Sequence, residues 1–249
     1  MKNKIQFGLV GKGIGYSFSR KYFSKKFNSN VSFSRFTYEN FDIDSINKID
    51  KIFLNQNIAG LNVTIPYKES IIKFLDVLSD EAKEIGSVNT ICFNNKKRIG
   101  YNTDIFGFSE SLKLDLDNNF DRVLILGSGG VSKTIKYYCA KNDIPYQIVS
   151  RKTDNSFIKY IDLDTSNFKG SVLIVNCTPL GTYPNINDCP QIPYDLLSKK
   201  NILFDLVYNP SETLFMKMGK KIGCKTLNGY NMLKRQADKS LDLWLKHIK

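Results

Sequence analysis

The stretch LILGSGGVSKTI, Leu124–Ile135, runs from a buried-looking apolar segment through three glycines into a polar segment. Glycines at 127, 129 and 130 permit a tight turn between strand and helix. They also let the backbone approach a pyrophosphate, which a helix N-terminus attracts. In this strand–turn–helix setting the motif reads as a dinucleotide site formed by Gly127, Ser128, Gly129, Gly130 and Val131. A glycine turn that serves only close helix–strand packing is the alternative. About 20 residues on, the next strand ends in Ser150-Arg151-Lys152. An acidic residue there favours NAD by bonding the ribose 2′-hydroxyl, whereas arginine suits a 2′-phosphate. Arg151, supported by Lys152, therefore points to NADP.

Working outward, RVLILG, YQIVSR, SVLIVNC and NILFDLVY are short runs rich in Val, Ile and Leu, the composition of buried parallel strands. On the N-terminal side, IQFGLVG, VSFSRFTY and GLNVTI read as strands. SINKIDKIFLN and SIIKFLDVL carry the spacing of amphipathic helices. Such alternation predicts βα units on a mostly parallel sheet. SVNTICFNN and KRIGYNT read as a hairpin with a polar turn. Asp104 then N-caps a helix that ends in DLDNNFD, the expected break between two α/β units. The last helix, GYNMLKRQADKSLDLWLKHI, is predicted to pack Met232, Leu233, Leu241, Trp244 and Leu245.

Composition narrows the chemistry. The chain has 249 residues and a formal net charge of +12. Its lysines are scattered, without the block of about five or more like charges that marks a nucleic-acid arm. A nucleic-acid partner is not expected, and the positive field favours anionic small molecules. No run approaches the ~20 apolar residues of a membrane span, and the N-terminus lacks a signal-peptide pattern. The five cysteines form no CxxC pair, which suits reduced thiols in the cytoplasm. His247 is the single histidine. A Ser-His-Asp triad or a His-built metal site is thereby nearly excluded, and no metal is expected. Proton transfer falls to Lys, Tyr, Asp, Glu or Cys.

Two segments offer candidates. In LNVTIPYKES, residues 61–70, Pro66 cannot donate to a ladder, so the strand stops there and a helix is expected to open. Asn62, Thr64 and Lys68 then lie near a strand's carboxyl end, where open α/β sheets bind ligands. In GLVGKGIGYSFS, bulky Tyr16 and Phe18 argue against a second cofactor loop. Ser17 and Ser19 alternate, and an extended chain would point both hydroxyls one way, toward a small polar ligand. Ordinary N-capping of the following helix is an equal alternative.

GKGIGYSFS, NVTIPYK, GSVNTI, GYNTD, LGSGG, NCTPLG, DLVYNP and NGYNMLKRQA occur here in the order seen in shikimate dehydrogenases. The resemblance spans nearly the whole chain and implies NADP-linked interconversion of shikimate and 3-dehydroshikimate. It implies that Ser17 and Ser19 hold the substrate carboxylate. Thr64, Asn89, Asp104 and Gln236 would bind ring hydroxyls, with Tyr208 and Gly229 near the nicotinamide and substrate. Lys68 matches the family's catalytic lysine and Asp104 its partner. The implied fold is an α/β substrate domain, residues 1–104, completed by the C-terminal helix 229–249. A Rossmann-like dinucleotide-binding domain, 105–228, follows it, with a cleft between. A small-molecule substrate and a monomer or homodimer are expected.

Some positions depart from the family's usual pattern: Gly13 and Arg20 stand for prolines, Tyr16 for a histidine, Asn155 for a second cofactor arginine and Thr182 for a methionine. The alternatives are an NAD-preferring quinate/shikimate dehydrogenase and a non-catalytic ligand-binding protein of the same fold.

Overall fold

A computed structural model describes residues 4–15, 17–116, 120–152 and 155–248. Tyr16, part of the DLDNNFD break (117–119) and part of the SRKTDN segment (153–154) lie outside the described residues. The chain divides into two compact units, Met1–Thr103 with Ala237–Lys249, and Asp104–Gln236.

The first unit is built on a six-stranded sheet of β1 (Ile5–Gly11), β2 (Phe36–Asp42), β3 (Ile58–Val63), β4 (Val77–Leu78), β5 (Thr90–Asn94) and β6 (Lys97–Tyr101). Their order is β2-β1-β3-β5-β6-β4. Strand β1 runs parallel to both β2 and β3, while β5 is antiparallel to β3 and to β6. Helices α1 (Phe18–Asn28), α2 (Ile49–Phe53) and α3 (Asp80–Ile85) connect them. The hairpin turns through Asn95 and Lys96, both with positive φ, the left-handed pair that matches strand twist in a two-residue loop.

Two expected elements differ. VSFSRFTY is not one strand: Val31–Phe33 forms a 3₁₀ turn, and β2 begins only at Phe36. The Asn30 side chain draws in the Ser32 N–H at 2.9 Å and so competes with extension. SIIKFLDVL is not a helix but a 3₁₀ turn, Ser70–Phe74, followed by β4. Here the sheet edge captures the chain. The Asp76 N–H bonds the Arg98 carbonyl at 2.9 Å, and the Asp76 carboxylate accepts from the Arg98 backbone and guanidinium. Tertiary pairing overrides local helical spacing.

The second unit contains α4 (Asp104–Asp115), β7 (Arg122–Leu126), α5 (Gly130–Lys141), β8 (Tyr146–Val149), β9 (Phe157–Ile158), α6 (Thr165–Phe168), β10 (Val172–Asn176), β11 (Ile202–Asp205), α7 (Leu214–Ile222) and β12 (Lys225–Asn228). All its strand pairs are parallel, in the order β12-β11-β10-β7-β8-β9. Counted within the unit this is 3-2-1-4-5-6, the dinucleotide-binding order, and its switch point lies between β7 and β10. Buried Val123, Ile125, Leu173 and Val175 line one face, and Leu124, Leu126, Val172 and Ile174 the other. That two-sided burial is why these strands read as unbroken apolar runs.

The final helix, α8 (Tyr230–His247), begins in the second unit and passes into the first between Gln236 and Ala237. Trp244 is fully buried, stacks on Phe7 at 4.7 Å and donates its indole N–H to the Ile91 carbonyl at 3.0 Å. Gly60 makes this possible, since a Cβ there would sit 2.2 Å from the indole ring. Met232 and Leu241 are buried as expected, but Leu245 is exposed and Leu233 half-buried. Ala237 and Ser240 complete the buried face instead.

Candidate active site

In the first unit, four chain segments reach one edge of the sheet. Strands β1 and β3 end there, at Gly11 and Val63. Because β5 runs the other way, its first residue, Thr90, pairs with Asn62 and Asn89 lies at the same edge. Thr90 also pairs with Tyr101, so β6 delivers the chain to Thr103 there. Ser17, Ser19, Thr64, Lys68 and Asn89 are therefore all carried on segments leaving or entering this edge.

The serine pair is not extended. Helix α1 starts at Phe18, Ser17 is its N-cap and accepts the Arg20 N–H at 3.4 Å, and Ser19 is buried in the first turn. The cause lies upstream. The Asp42 carboxylate accepts the N–H groups of Gly13 and Ile14 at 2.8 and 3.0 Å, and the Ile14 carbonyl accepts the Ser17 N–H at 3.0 Å. This folds the glycine segment into a turn that opens the helix, and two serines flank an N-terminus that favours negative charge. Gly13 has φ +68°, which proline cannot adopt, and it donates an N–H that proline lacks. Glycine at this position thus has a local physical basis.

Lys68 sits in a loop rather than on a helix. It follows the cis Ile65–Pro66 bond and precedes the 3₁₀ turn at Ser70. The loop is anchored at three points: the Thr64 N–H to the Val10 carbonyl (2.9 Å), the Val88 N–H to the Lys68 carbonyl (2.8 Å) and the Tyr67 hydroxyl to the Ile43 carbonyl (2.7 Å). The lysine backbone is held while its side chain is half-buried.

Asn89 is buried, and its Oδ1 accepts the Thr103 N–H at 2.7 Å while Nδ2 donates to Thr103 Oγ1 at 3.0 Å. The amide cannot flip without setting its NH₂ donor against the Thr103 N–H donor. Behind it lies a buried polar cluster of Asn62, Thr90, Thr103 and Ser240 that the sequence alone did not disclose.

In the second unit, the glycine turn follows β7 at the switch point. Gly127 has φ +105°, and a Cβ there would stand 3.0 Å from Thr178 in the loop after β10. Gly129 is the N-cap of α5 with no side chain capping it, and a Cβ there would meet nothing within 4 Å. Open space before an uncapped helix N-terminus fits a phosphate group. Ser128 and Ser150 share a hydroxyl hydrogen bond at 2.9 Å, and Ser150 Oγ also accepts the Lys152 N–H at 3.1 Å. This pins the end of β8 to the glycine turn, with Arg151 and Lys152 exposed beside it. Val131, in the first turn of α5, is half-buried.

Gly229 has a packing reason for being glycine, since a Cβ would collide with the Leu206 carbonyl oxygen at 2.1 Å. Tyr208, half-buried, lies in the same post-β11 loop. That loop is held by a residue the sequence did not single out. Asp205, fully buried, accepts Asn176 Nδ2 at 2.9 Å, the Val207 N–H at 3.0 Å and the Thr213 hydroxyl at 2.5 Å. Burial pushes its carboxyl up to about 6, against the three hydrogen bonds. Asp104 is the first residue of α4 rather than its cap, and is buried. Gly107 lets α4 approach α8, because a Cβ there would meet the Met232 carbonyl at 2.6 Å and Gln236 Cβ at 3.0 Å. Asp104 and the buried Gln236 are thus carried on two closely packed helices, tied further by Arg235 to Asp115 at 2.8 Å. Among the described residues no group of three or more His, Cys, Asp or Glu is placed to hold a metal, and no helix is long and apolar enough to cross a membrane.

A parallel sheet in this strand order, with a glycine turn and a free helix N-terminus at its switch point, defines a dinucleotide-linked α/β protein. Comparison with known proteins narrows this. Residues 9–91 match the family model of the shikimate dehydrogenase substrate binding domain. The NADP(+) shikimate dehydrogenase of Methanococcus vannielii is 34% identical over 261 residues, spanning 96% of this chain and 91% of that protein. That of Clostridium beijerinckii is 36% identical over 249 residues, with the same coverage of 96% and 91%. The crystal structure of shikimate dehydrogenase 1 from Peptoclostridium difficile superposes with a TM-score of 0.86 at 36% identity, covering 98% of this chain and 93% of that one. The chain belongs to the shikimate dehydrogenase family.

Proposed function

We infer that this protein is an NADP-dependent oxidoreductase that interconverts 3-dehydroshikimate and shikimate, acting in aromatic amino acid biosynthesis. The observation that carries the reading is the convergence of Ser17, Ser19, Thr64, Lys68 and Asn89 on segments at one sheet edge, in a chain whose other unit has the dinucleotide strand order. The first unit is the substrate domain and the second the coenzyme domain.

Ser17 and Ser19 hold the substrate carboxylate at the N-terminus of α1, where the helix dipole adds to their hydroxyls. Thr64, Asn89, Asp104 and Gln236 bind the ring hydroxyls, and Tyr208 lies beside the substrate. The coenzyme is held by Gly127, Ser128, Gly129, Gly130 and Val131 at its diphosphate, with Gly229 near the nicotinamide. Ser150, Arg151 and Lys152 take the adenosine ribose and its 2′-phosphate. When bound, NADPH supplies the hydride. Lys68 supplies the proton or the positive charge for the developing alkoxide, and Asp104 orients it. A positioned general acid of this kind contributes ~10²–10⁴-fold. The partner is a small molecule, not nucleic acid. The protein acts in the cytoplasm as a monomer or homodimer, and its five unpaired cysteines suit that compartment.

The test follows formation of reduced nicotinamide when the purified protein receives shikimate or quinate, each with NADP⁺ and with NAD⁺. Turnover of shikimate with NADP⁺ is expected to dominate. Preference for NAD⁺ or equal use of quinate would replace this reading with that of a quinate/shikimate dehydrogenase. No reduction with any pair by folded protein would leave a ligand-binding role.

A further inference from the structure

Asn62, the penultimate residue of β3, lies at the substrate edge of the first unit's sheet and is 5% exposed. Its amide orientation is dictated by its neighbours. Nδ2 faces the Asn89 carbonyl oxygen at 3.2 Å, an acceptor only, so Oδ1 must face Tyr38, whose hydroxyl donates to it at 2.9 Å. The Tyr38 ring is buried too, so its hydroxyl holds the amide in this orientation.

On its other side, Asn62 Nδ2 lies 3.0 Å from Ser240 Oγ and 3.2 Å from Thr90 Oγ1. Both hydroxyls lie 3.1 Å from Thr103 Oγ1, and Thr103 is the residue that clamps the Asn89 amide. One buried amide, held by Tyr38, is therefore linked through Ser240, Thr90 and Thr103 to the ligand-facing Asn89.

We propose that Asn62 is a positioning residue that pre-orients Asn89 for the substrate, with Tyr38 fixing its amide and Ser240 linking it to Thr103. This rests on the assignment of Asn89 to substrate binding. Groups held in place before binding lower the ordering cost of binding, so the effect belongs in substrate affinity.

The test uses Tyr38→Phe, which deletes one hydroxyl, with thermal unfolding to verify the fold. Expected is a shikimate KM raised about tenfold, the worth of one ordered hydrogen bond, with kcat and the NADP⁺ KM unchanged. In an Asn89→Ala background the same substitution should have no further effect on shikimate KM, since the two act as one unit. Should Tyr38→Phe fail to fold, Ser240→Ala gives the same test against an Asn89→Ala background. If Asn89→Ala leaves shikimate KM unchanged, the substrate-site assignment itself is wrong. If it raises KM while Tyr38→Phe or Ser240→Ala does nothing, or adds fully to it, Asn62 is structural only and the proposal is overturned.

Discussion

Asn176 and Asp205 face each other as register partners at the carboxyl ends of β10 and β11, joined by an amide-to-carboxylate hydrogen bond of 2.9 Å inside a fully buried environment. The pair fastens two loops, the one after β10 that carries Thr178 and the one after β11 that carries Tyr208.

The Asp205 carboxyl gives a pH signature. Burial raises it from an ordinary 3.8 to about 6, so between those values the folded chain holds a proton that the unfolded chain has released. Stability then falls as pH rises from 4 to 6 on account of this group, by on the order of 2–3 kcal/mol. Asp205→Asn, which keeps an acceptor for Asn176 and Val207, should remove that part of the slope. Melting temperatures of both proteins across this range, plotted as their difference, should converge on the acid side. A constant difference would mean the carboxyl does not titrate there.

Gly13→Pro should damage this chain. It forces φ from +68° to a value near −65° and deletes the donor to Asp42. A loss of about 1–3 kcal/mol in urea unfolding is expected, with a raised shikimate KM, because the turn sets the start of α1. A neutral or stabilising result would show that the turn tolerates both conformations.

Arg151→Ala should separate the two coenzymes. A charge-assisted contact to the 2′-phosphate is worth ~1.5–3 kcal/mol, so the NADP⁺ KM should rise roughly 10–100-fold while the NAD⁺ KM stays unchanged. Equal rises for both would assign Arg151 to the fold rather than to the phosphate.

Much of this architecture was legible in the chain because it rests on local patterns. Apolar runs gave the parallel strands of the second unit, and Gly127 and Gly129 marked its switch point. The failures came where distant residues decide. SIIKFLDVL has helical spacing, yet Asp76 is captured by Arg98 and the chain joins the sheet. Whether Ser17 capped a helix or extended toward a ligand turned on the Asp42 carboxylate, 28 residues from Ile14. The Asn62–Ser240 hydrogen bond spans 178 residues, and no spacing rule reaches so far. Asp205 sat inside a run that read simply as a buried strand. The roles of Lys68, Asn89 and Gln236 were suggested by family motifs rather than by their surroundings in sequence.

The account depends most on Lys68, held on its anchored loop at the sheet edge. The direct measurement compares kcat and KM for shikimate oxidation with NADP⁺ in the wild type and in Lys68→Ala. A general acid–base group acting only in the transition state should cost ~10²–10⁴-fold in kcat and leave shikimate KM within a small factor of wild type. A raised KM with kcat intact would make Lys68 a binding residue and contradict the mechanism.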